Sequence, residues 1–446
     1  MYKIPTKFYQ RLHHPRPRFK SNIENVLGYM SFSIAELDGE TESVFKEKIL
    51  TAINDFPGNE GVTLKTLNNW RTEITALFSM VNTKNNCNFA TDLSKELANT
   101  TNLKEFFLRF ISTFQYPGGF LKNNEIEKII ISDIHFHPLL WLACFYNSLA
   151  ISEEDLYITD VEFCHCVLND LRVTRDHEDI SATIGRILYN RKNEVNYDTA
   201  GDIKRYALDI LDYCVLAGLM LKDYKGKFFF RDDAKEFLSF FKDHAPIFKC
   251  YQKSHTLKQL ESLKSEWIHF VNDSSKLLLK SFEEKISKKT SIPSDRLAFI
   301  TKQIGDEGEA LTLAHEKIWL SNNGRPDLAK LVSHMPTQFA VGYDVLSREL
   351  DSTMRHIEVK TTVSLKDFTV NRVHLTPNEW AAAESHRDRY FVYRLQLSDE
   401  SYTLWIIQDP VGLYKQDRIK MVPRNGADIY FNENCYTQVE LLRTYE

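Results

Sequence analysis

From about residue 22 to about residue 290 the apolar residues of this chain recur at helical spacing, and beyond about 295 they alternate or run together as strands do. One layer of secondary structure cannot absorb that switch, because helices bury a stripe against other helices whereas strands need partner strands. At 446 residues the chain is also too long for one ordinary domain. The expectation is a multidomain protein with three parts. A mostly α region covers 1–250, a charged helical connector covers 251–294, and an α/β domain with a mixed central sheet flanked by helices covers 295–446.

Three stretches of the first region resemble one another: "GVTLKTLNNWRTEITALFSMV" (61–81), "YITDVEFCHCVLNDLRVT" (157–174) and "AGDIKRYALDILDYCVLAGLM" (200–220). Each predicts a helix opened by a polar cap, with Thr63, Thr159 and Asp202 in that position. The third continues as "LKDYKGKFFFRDDAKEF", a short strand, a Lys-Gly turn, an aromatic strand and a further helix. A helix followed by a β-hairpin in this order resembles a winged-helix DNA-binding module. The resemblance puts Lys222, Lys225, Lys227 and Arg231 on or beside the wing, where phosphates would meet them.

Net charge is −5, so any nucleic-acid surface has to be local. The local excess is "MYKIPTKFYQRLHHPRPRFK", which holds Lys3, Lys7, Arg11, Arg16, Arg18 and Lys20 without one acid. It reads equally as a solubilising terminus and as a basic arm along a duplex, with Arg16 and Arg18 as phosphate contacts. The connector "QKSHTLKQLESLKSEWIHFVNDSSKLLLKSFEEKISKKT" carries Leu257, Leu260, Leu263 and Trp267 at helical spacing, and "SIPSDR" breaks it. No apolar run is long enough for a membrane span, and seven cysteines without paired spacing fit a reducing cytoplasm. "HFH" at 135–137 and "CHC" at 164–166 lack zinc-site spacing and read as core residues.

The last region reads α-β-β-α-β-β. "GDEGEALTLAHEKIWLSNNG" is a helix stopped at Asn323-Gly324, "FAVGYDVLS" and "RHIEVKTT" are strands, and "TPNEWAAAESHRD" is a Thr-capped helix. "RYFVYRLQLS" and "YTLWIIQDP" close the series as strands joined at Asp399-Glu400. On "IEVK", alternation turns Ile357 and Val359 to the core and Glu358 and Lys360 to the other face, and Asp344 ends the preceding strand within reach. Phosphodiester hydrolysis needs a hard divalent cation on carboxylate and carbonyl oxygens, with a fixed cation beside the attacking water. Asp344, Glu358 and the Val359 carbonyl suit the first need and Lys360 the second. Acid-x-Lys recurs at Asp202, Asp223, Asp233 and Glu283, mostly on helical readings where the two side chains diverge.

"GEALTLAHEKIWL", "VGYDVLS", "HIEVKTT" and "LTPNEWAAA", over about 305–397, resemble one branch of the PD-(D/E)XK nuclease superfamily. That branch is an uncharacterised C-terminal domain of bacterial defence proteins and of a plant vein-patterning protein of the NO VEIN type. The resemblance implies Asp344, Glu358 and Lys360 as catalytic residues and Glu309 as an accessory carboxylate, with Glu316 a second candidate two turns along the helix. Asn378 and Glu379 read as a helix start and stand outside the site. The family's Pro-Asp dipeptide is Tyr343-Asp344 here.

Together these readings predict a Mg2+-dependent restriction or phage-defence endonuclease acting on double-stranded DNA, with Mn2+ able to substitute. A homodimer on DNA and a cognate methyltransferase encoded nearby are the implied partners. The alternatives are a repair or modification-dependent effector nuclease, a DNA-binding regulator with a silent nuclease-like core, and a partner-assembly scaffold.

Overall fold

Polar caps start the helices of the N-terminal half where the sequence places them. Thr63 accepts from Thr66 N, and Thr159 forms a reciprocal capping box with Glu162. The computed structural model describes residues 1–59, 61–199, 203–253, 255–289, 301–336, 340–398 and 401–443. Asp202, the 294/295 boundary, the "SIPSDR" break and the Asp399-Glu400 junction lie outside the described residues. The chain forms two compact units. One comprises Met1–Ile23, Ser33–Ser94 and Lys104–Phe299, and the other Glu24–Phe32, Lys95–Leu103 and Ile300–Glu446.

The first unit contains one local plan twice. Strand β1 (Glu40–Thr41), the helices Glu42–Asn54 and Leu64–Thr72, then β2 (Val81–Lys84) and β3 (Cys87–Ala90) make a sheet in the order β1-β3-β2. Strand β4 (Tyr157–Thr159), the helices Ile180–Lys192 and Ile203–Leu216, then β5 (Met220–Lys222) and β6 (Lys227–Phe230) repeat it in the order β4-β6-β5. The stretch 61–81 was expected to be one helix, but it becomes strand at Val81. Asn85 and Asn86, with φ of 52° and 58°, supply the left-handed pair of a tight hairpin turn. In the second hairpin Asp223 Oδ1 accepts from the backbone of Lys225 and Lys227, and Gly226 takes φ +79°.

Aromatic side chains form the heart of this unit, with Phe78, Phe107, Phe110 and Tyr213 all buried. The helix Leu257–Lys289 packs into the same unit through Leu260, Leu263 and Trp267, whereas Leu257 is exposed. Fully buried Arg109 donates to Ser275 Oγ and to the carbonyl of Asn272 on that helix. Cys164 and Cys166 are buried, and His137 is a helix cap accepting from Leu140 N.

The N-terminal segment, read as a solubilising terminus or as a basic arm along a duplex, is packed into the first unit. Leu12, His14 and Phe19 are buried, and Arg16, Arg18 and Lys20 are paired with acids. Arg16 Nε and Lys20 Nζ each lie 2.5 Å from buried Asp209, and Lys20 also reaches Asp212 at 2.6 Å. Arg18 lies 3.4 Å from Glu73. A charge-free segment could not have answered Asp209, whose burial requires partners.

Burial holds His14 down to about 3 and His137 down to about 4. Near pH 5 the unfolded chain therefore binds protons on these two rings that the folded chain does not, since a free histidine titrates near ~6.5. Stability is expected to be fully present above that value and to fall with pH, by on the order of 2 kcal/mol per ring at about pH 5. Urea unfolding of the first unit, followed by tryptophan fluorescence, should show the loss. Equal stability at neutrality and about pH 5 would sink the expectation.

In the second unit, β7 (Ser333–His334), β8 (Val345–Arg348), β9 (Met354–Val363), β11 (Tyr390–Leu397), β12 (Tyr402–Gln408) and β15 (Thr437–Glu440) form a mixed sheet. Its order is β15-β12-β11-β9-β8-β7, with β9 and β11 parallel and the other pairs antiparallel. The helix Thr301–Asn322 covers one face, over Ile357, Tyr393 and Leu395. The helix Pro377–His386 lies on the other, over Tyr390 and Val392. A small second sheet, absent from the α-β-β-α-β-β reading, joins β10 (Arg372–Leu375), β14 (Ala427–Tyr430) and β13 (Lys420–Pro423). At its centre Asp428 is fully buried and accepts from Arg372, His374 and Arg424 at 2.6–2.8 Å.

Candidate active site

Strand β9 owes its two faces to strict alternation. Ile357 and Val359 pack under the helix Thr301–Asn322, and Glu358 and Lys360 turn to the opposite side. That opposite side is not an open, solvated face. The helix Pro377–His386 closes over it, and Glu358 is only 3% exposed. Asp344 sits one residue before β8 and so begins that strand, where the sequence reading had it end one. Its backbone N donates to the Ile357 carbonyl at 2.9 Å, and its Oδ2 accepts from Val359 N at 2.8 Å. The side chain thereby takes the ladder position that another β8 residue would have filled. N–H and C=O of one extended residue point to the same neighbouring strand, so the Val359 carbonyl also faces the Asp344 side, past the last β8 pair at Val345–Ile357.

Lys360 Nζ bridges two carboxylates, donating to Glu358 Oε1 at 2.7 Å and to Glu379 Oε2 at 2.6 Å. Glu379 is the residue the sequence reading left out. It does start a helix, as the third residue of a capping box with Thr376, but its side chain also reaches across to β9. The Thr-x-x-Glu box was a usable signal, because it turns a carboxylate back over the helix start that a parallel β-α-β crossover brings beside the first strand. The helix can come this close because Gly342, at φ +77°, has no Cβ. One added there would fall 2.4 Å from the Asn378 carbonyl. The Tyr390 hydroxyl donates to the Gly342 carbonyl at 2.9 Å and closes the same turn.

The electrostatics of this cluster are unbalanced, with three carboxylates (Asp344, Glu358 and Glu379) facing one ammonium. Burial pushes Glu358 well above the usual carboxylate range, and Asp344 and Glu379 push the same way against Lys360. Burial also raises Asp344. Burial opposes the charge on Lys360, but Glu358 and Glu379 outweigh it and hold the amine above its ordinary value. Glu379 also feels burial, yet Lys360 and the Thr376 cap leave it lowered. Lys360 is therefore a charged donor at neutral pH. It acts as a fixed cation and not as a proton acceptor.

Among the described residues no group of three or more His, Cys, Asp or Glu side chains is arranged to hold a metal ion. The set beside β9 is smaller, two carboxylates and one carbonyl, all hard oxygens. It fits a divalent cation of the magnesium class by charge as well, since the excess of buried carboxylate is what such an ion would neutralise.

Glu309 lies on the helix Thr301–Asn322, and His334 Nε2 is 2.6 Å from its Oε2. His334 on β7 in turn acts electrostatically on Asp344, so Glu309 borders the cluster through that histidine. Gly308 beside it lets the helix press on β9, because a Cβ there would fall 1.9 Å from Thr361 Oγ1. Glu316 does not point to the cluster. It accepts from the Tyr393 hydroxyl at 2.6 Å and lies 3.8 Å from Arg355, buried on the Ile357 side of the sheet. Those partners hold it on the face opposite the one Glu358 occupies.

In the first unit the basic candidates have different settings. Lys225 stands exposed at the tip of the β5–β6 hairpin. Lys227 Nζ sits 3.8 Å over the Tyr157 ring, and Arg231 pairs with Asp233 at 3.0 Å. Arg16 and Arg18 are engaged with Asp209 and Glu73 as described. No helix of the described residues is long and apolar enough to cross a membrane.

Comparison with known proteins yields two family models. The model described as "Protein NO VEIN, C-terminal" matches residues 308–407, a span that holds Glu309, Asp344, Glu358, Lys360 and Glu379. No curated protein matches the chain. Among solved structures, a crystal structure of pyrene- and phenanthrene-modified DNA in complex with the BpuJ1 endonuclease binding domain is similar. It aligns with a TM-score of 0.54 at 19% identity, over 59% of this chain and 98% of that one, a likeness of fold. The second family model covers residues 2–268, more than half of the chain, and the repeated helix–hairpin plan lies within it. The chain belongs to the family described as "Restriction endonuclease BpuJI - N terminal".

Proposed function

We propose that the chain is a restriction-type endonuclease that binds double-stranded DNA through its first unit and hydrolyses phosphodiester bonds with its second, a PD-(D/E)XK-type domain. The observation that carries the reading is the convergence of Asp344, Glu358 and Lys360 beside β9 in a cluster short of positive charge. The match to a restriction-endonuclease family and the likeness to a DNA-bound binding domain support the DNA half of the reading. The two helix–hairpin modules of the first unit suit a winged-helix mode of binding, with Lys225, Lys227 and Arg231 on or next to the second hairpin. A homodimer on DNA, a nearby methyltransferase and action in the cytoplasm belong to the same reading.

Asp344, Glu358 and the Val359 carbonyl would hold Mg2+, with Mn2+ as a substitute, and Glu309 would act from the His334 side. Bound there, the ion supplies charge neutralisation at the scissile phosphate and a lower pKa for the attacking water. Lys360 contributes a positive charge and hydrogen-bond donors where negative charge develops. The cover of the helix Pro377–His386 keeps these groups in a low-dielectric setting where that charge counts for more.

The test is incubation of unmodified and methylated plasmids with the protein, in Mg2+ or in EDTA. Discrete fragments in Mg2+ alone are expected, and Mn2+ should restore cutting after EDTA. A retained gel shift with no cutting under any of these conditions would overturn the enzymatic reading in favour of a DNA-binding regulator.

A further inference from the structure

Glu358 is asked to do two things in the site just described. It pairs with the Lys360 ammonium at 2.7 Å, and in the nuclease reading it also holds a divalent cation. Serving both at once would crowd two cations against one buried carboxylate, a repulsive arrangement at low dielectric. Glu379 offers the way out. Its Oε2 lies 2.6 Å from Lys360 Nζ, and the same oxygen accepts from Thr376 N at 2.9 Å. The helix start thus anchors this carboxylate independently of Glu358, and it stays in place when Glu358 is drawn elsewhere. Asp344 lies on the other flank, committed through Oδ2 to the β9 backbone.

We propose that Glu379 is the positioning residue of the site, the second seat that keeps Lys360 in place when Glu358 turns to a divalent cation. On this account cation binding is an exchange. Lys360 gives up Glu358 and keeps Glu379, so the ease of opening the cation site is set from the helix Pro377–His386. The inference rests on the nuclease reading of the same cluster.

Mn2+ binding to the full chain, read by electron paramagnetic resonance of the free ion at fixed pH, tests it without relying on cleavage. In Glu379→Gln the lysine keeps Glu358 as its hydrogen-bonded carboxylate and competes with the ion for it. Mn2+ affinity should then drop by about 10–100-fold, the usual scale for a supporting residue around a metal. Adding Lys360→Met removes the competitor, and the double variant should recover most of that loss. Thr376→Ala keeps the backbone N–H that holds Glu379 Oε2 and the Glu379–Lys360 contact, and loses only the hydroxyl that accepts from Glu379 N. It should lower the melting temperature and leave Mn2+ affinity near wild type. Wild-type affinity in Glu379→Gln overturns the proposal, and so does a loss that Lys360→Met does not relieve. A wild-type chain that binds no Mn2+ overturns the nuclease reading itself.

Discussion

Lys360→Ala is expected to lower DNA cleavage by about 10²–10³-fold or more while DNA binding stays within a few-fold of wild type. The first half follows from the charge balance of the site. Lys360 is the ammonium among Asp344, Glu358 and Glu379, and removing it takes a charged donor from Glu358 at 2.7 Å and from Glu379 at 2.6 Å. What is lost with it is the fixed positive charge beside the place where negative charge develops, while the Asp344 and Glu358 oxygens stay in the chain. The second half follows from where the first unit's modules lie in sequence, since residues 2–268 carry the family match and exclude Lys360. Single-turnover plasmid cleavage and a gel shift on the same preparation separate the two effects. Cleavage that persists within about tenfold of wild type would refute the assignment of Lys360.

The largest effect on stability is expected from Asp428→Ala. Asp428 is fully buried and is the shared acceptor for Arg372, His374 and Arg424. Deleting it takes from Arg372, itself 3% exposed, the buried carboxylate it donates to at 2.6 Å. Breaking a buried ion pair by removing one partner costs about 3–5 kcal/mol, and three donors lose their acceptor here. His374 faces Asp428 directly in the β10–β14 pairing, so the small sheet should fray first. Urea unfolding of Asp428→Ala against wild type checks this, with Asp428→Asn expected in between. A loss under about 1 kcal/mol, the scale of an exposed pair, would sink it. Burial alone would raise this carboxyl, but His374, Arg424 and Arg372 hold it well below the usual carboxylate range. Its contribution is thus complete above ~4 and is lost only as pH falls toward the folded value, well below the histidine window.

The parts of the site that sequence reveals are those that local periodicity controls. Alternation on "HIEVKTT" is enough to separate Glu358 and Lys360 from Ile357 and Val359, because the strand period is two wherever one face is buried. Asp344 was placed one step off. The Gly342–Tyr343 turn that precedes it looks apolar enough for strand, but its positive φ at Gly342 stops the ladder. What covers Glu358 is a tertiary matter. The helix Pro377–His386 sits on β9 because β9 and β11 run parallel, which demands a crossover, and no period within either strand states that. The small sheet was missed although Asn425-Gly426 marks its hairpin, with φ of 43° and 118°. Asn85-Asn86 marks the first unit's missed hairpin in the same way. Asp209 was beyond reach for a different reason. Its partners Arg16 and Lys20 lie nearly two hundred residues earlier, and a buried acid in an amphipathic helix looks like any other polar position until the partner is in place.

Asp209 also bears on how the protein is handled. A basic leader that looks dispensable is an obvious candidate for trimming before crystallisation, and deletion up to Lys20 removes six unopposed positive charges on paper. In the folded chain it would withdraw both counter-ions from a carboxylate with no solvent access, together with the Leu12, His14 and Phe19 side chains that seal it. Versions shortened past Lys20 should therefore unfold at a lower temperature than the chain that keeps it.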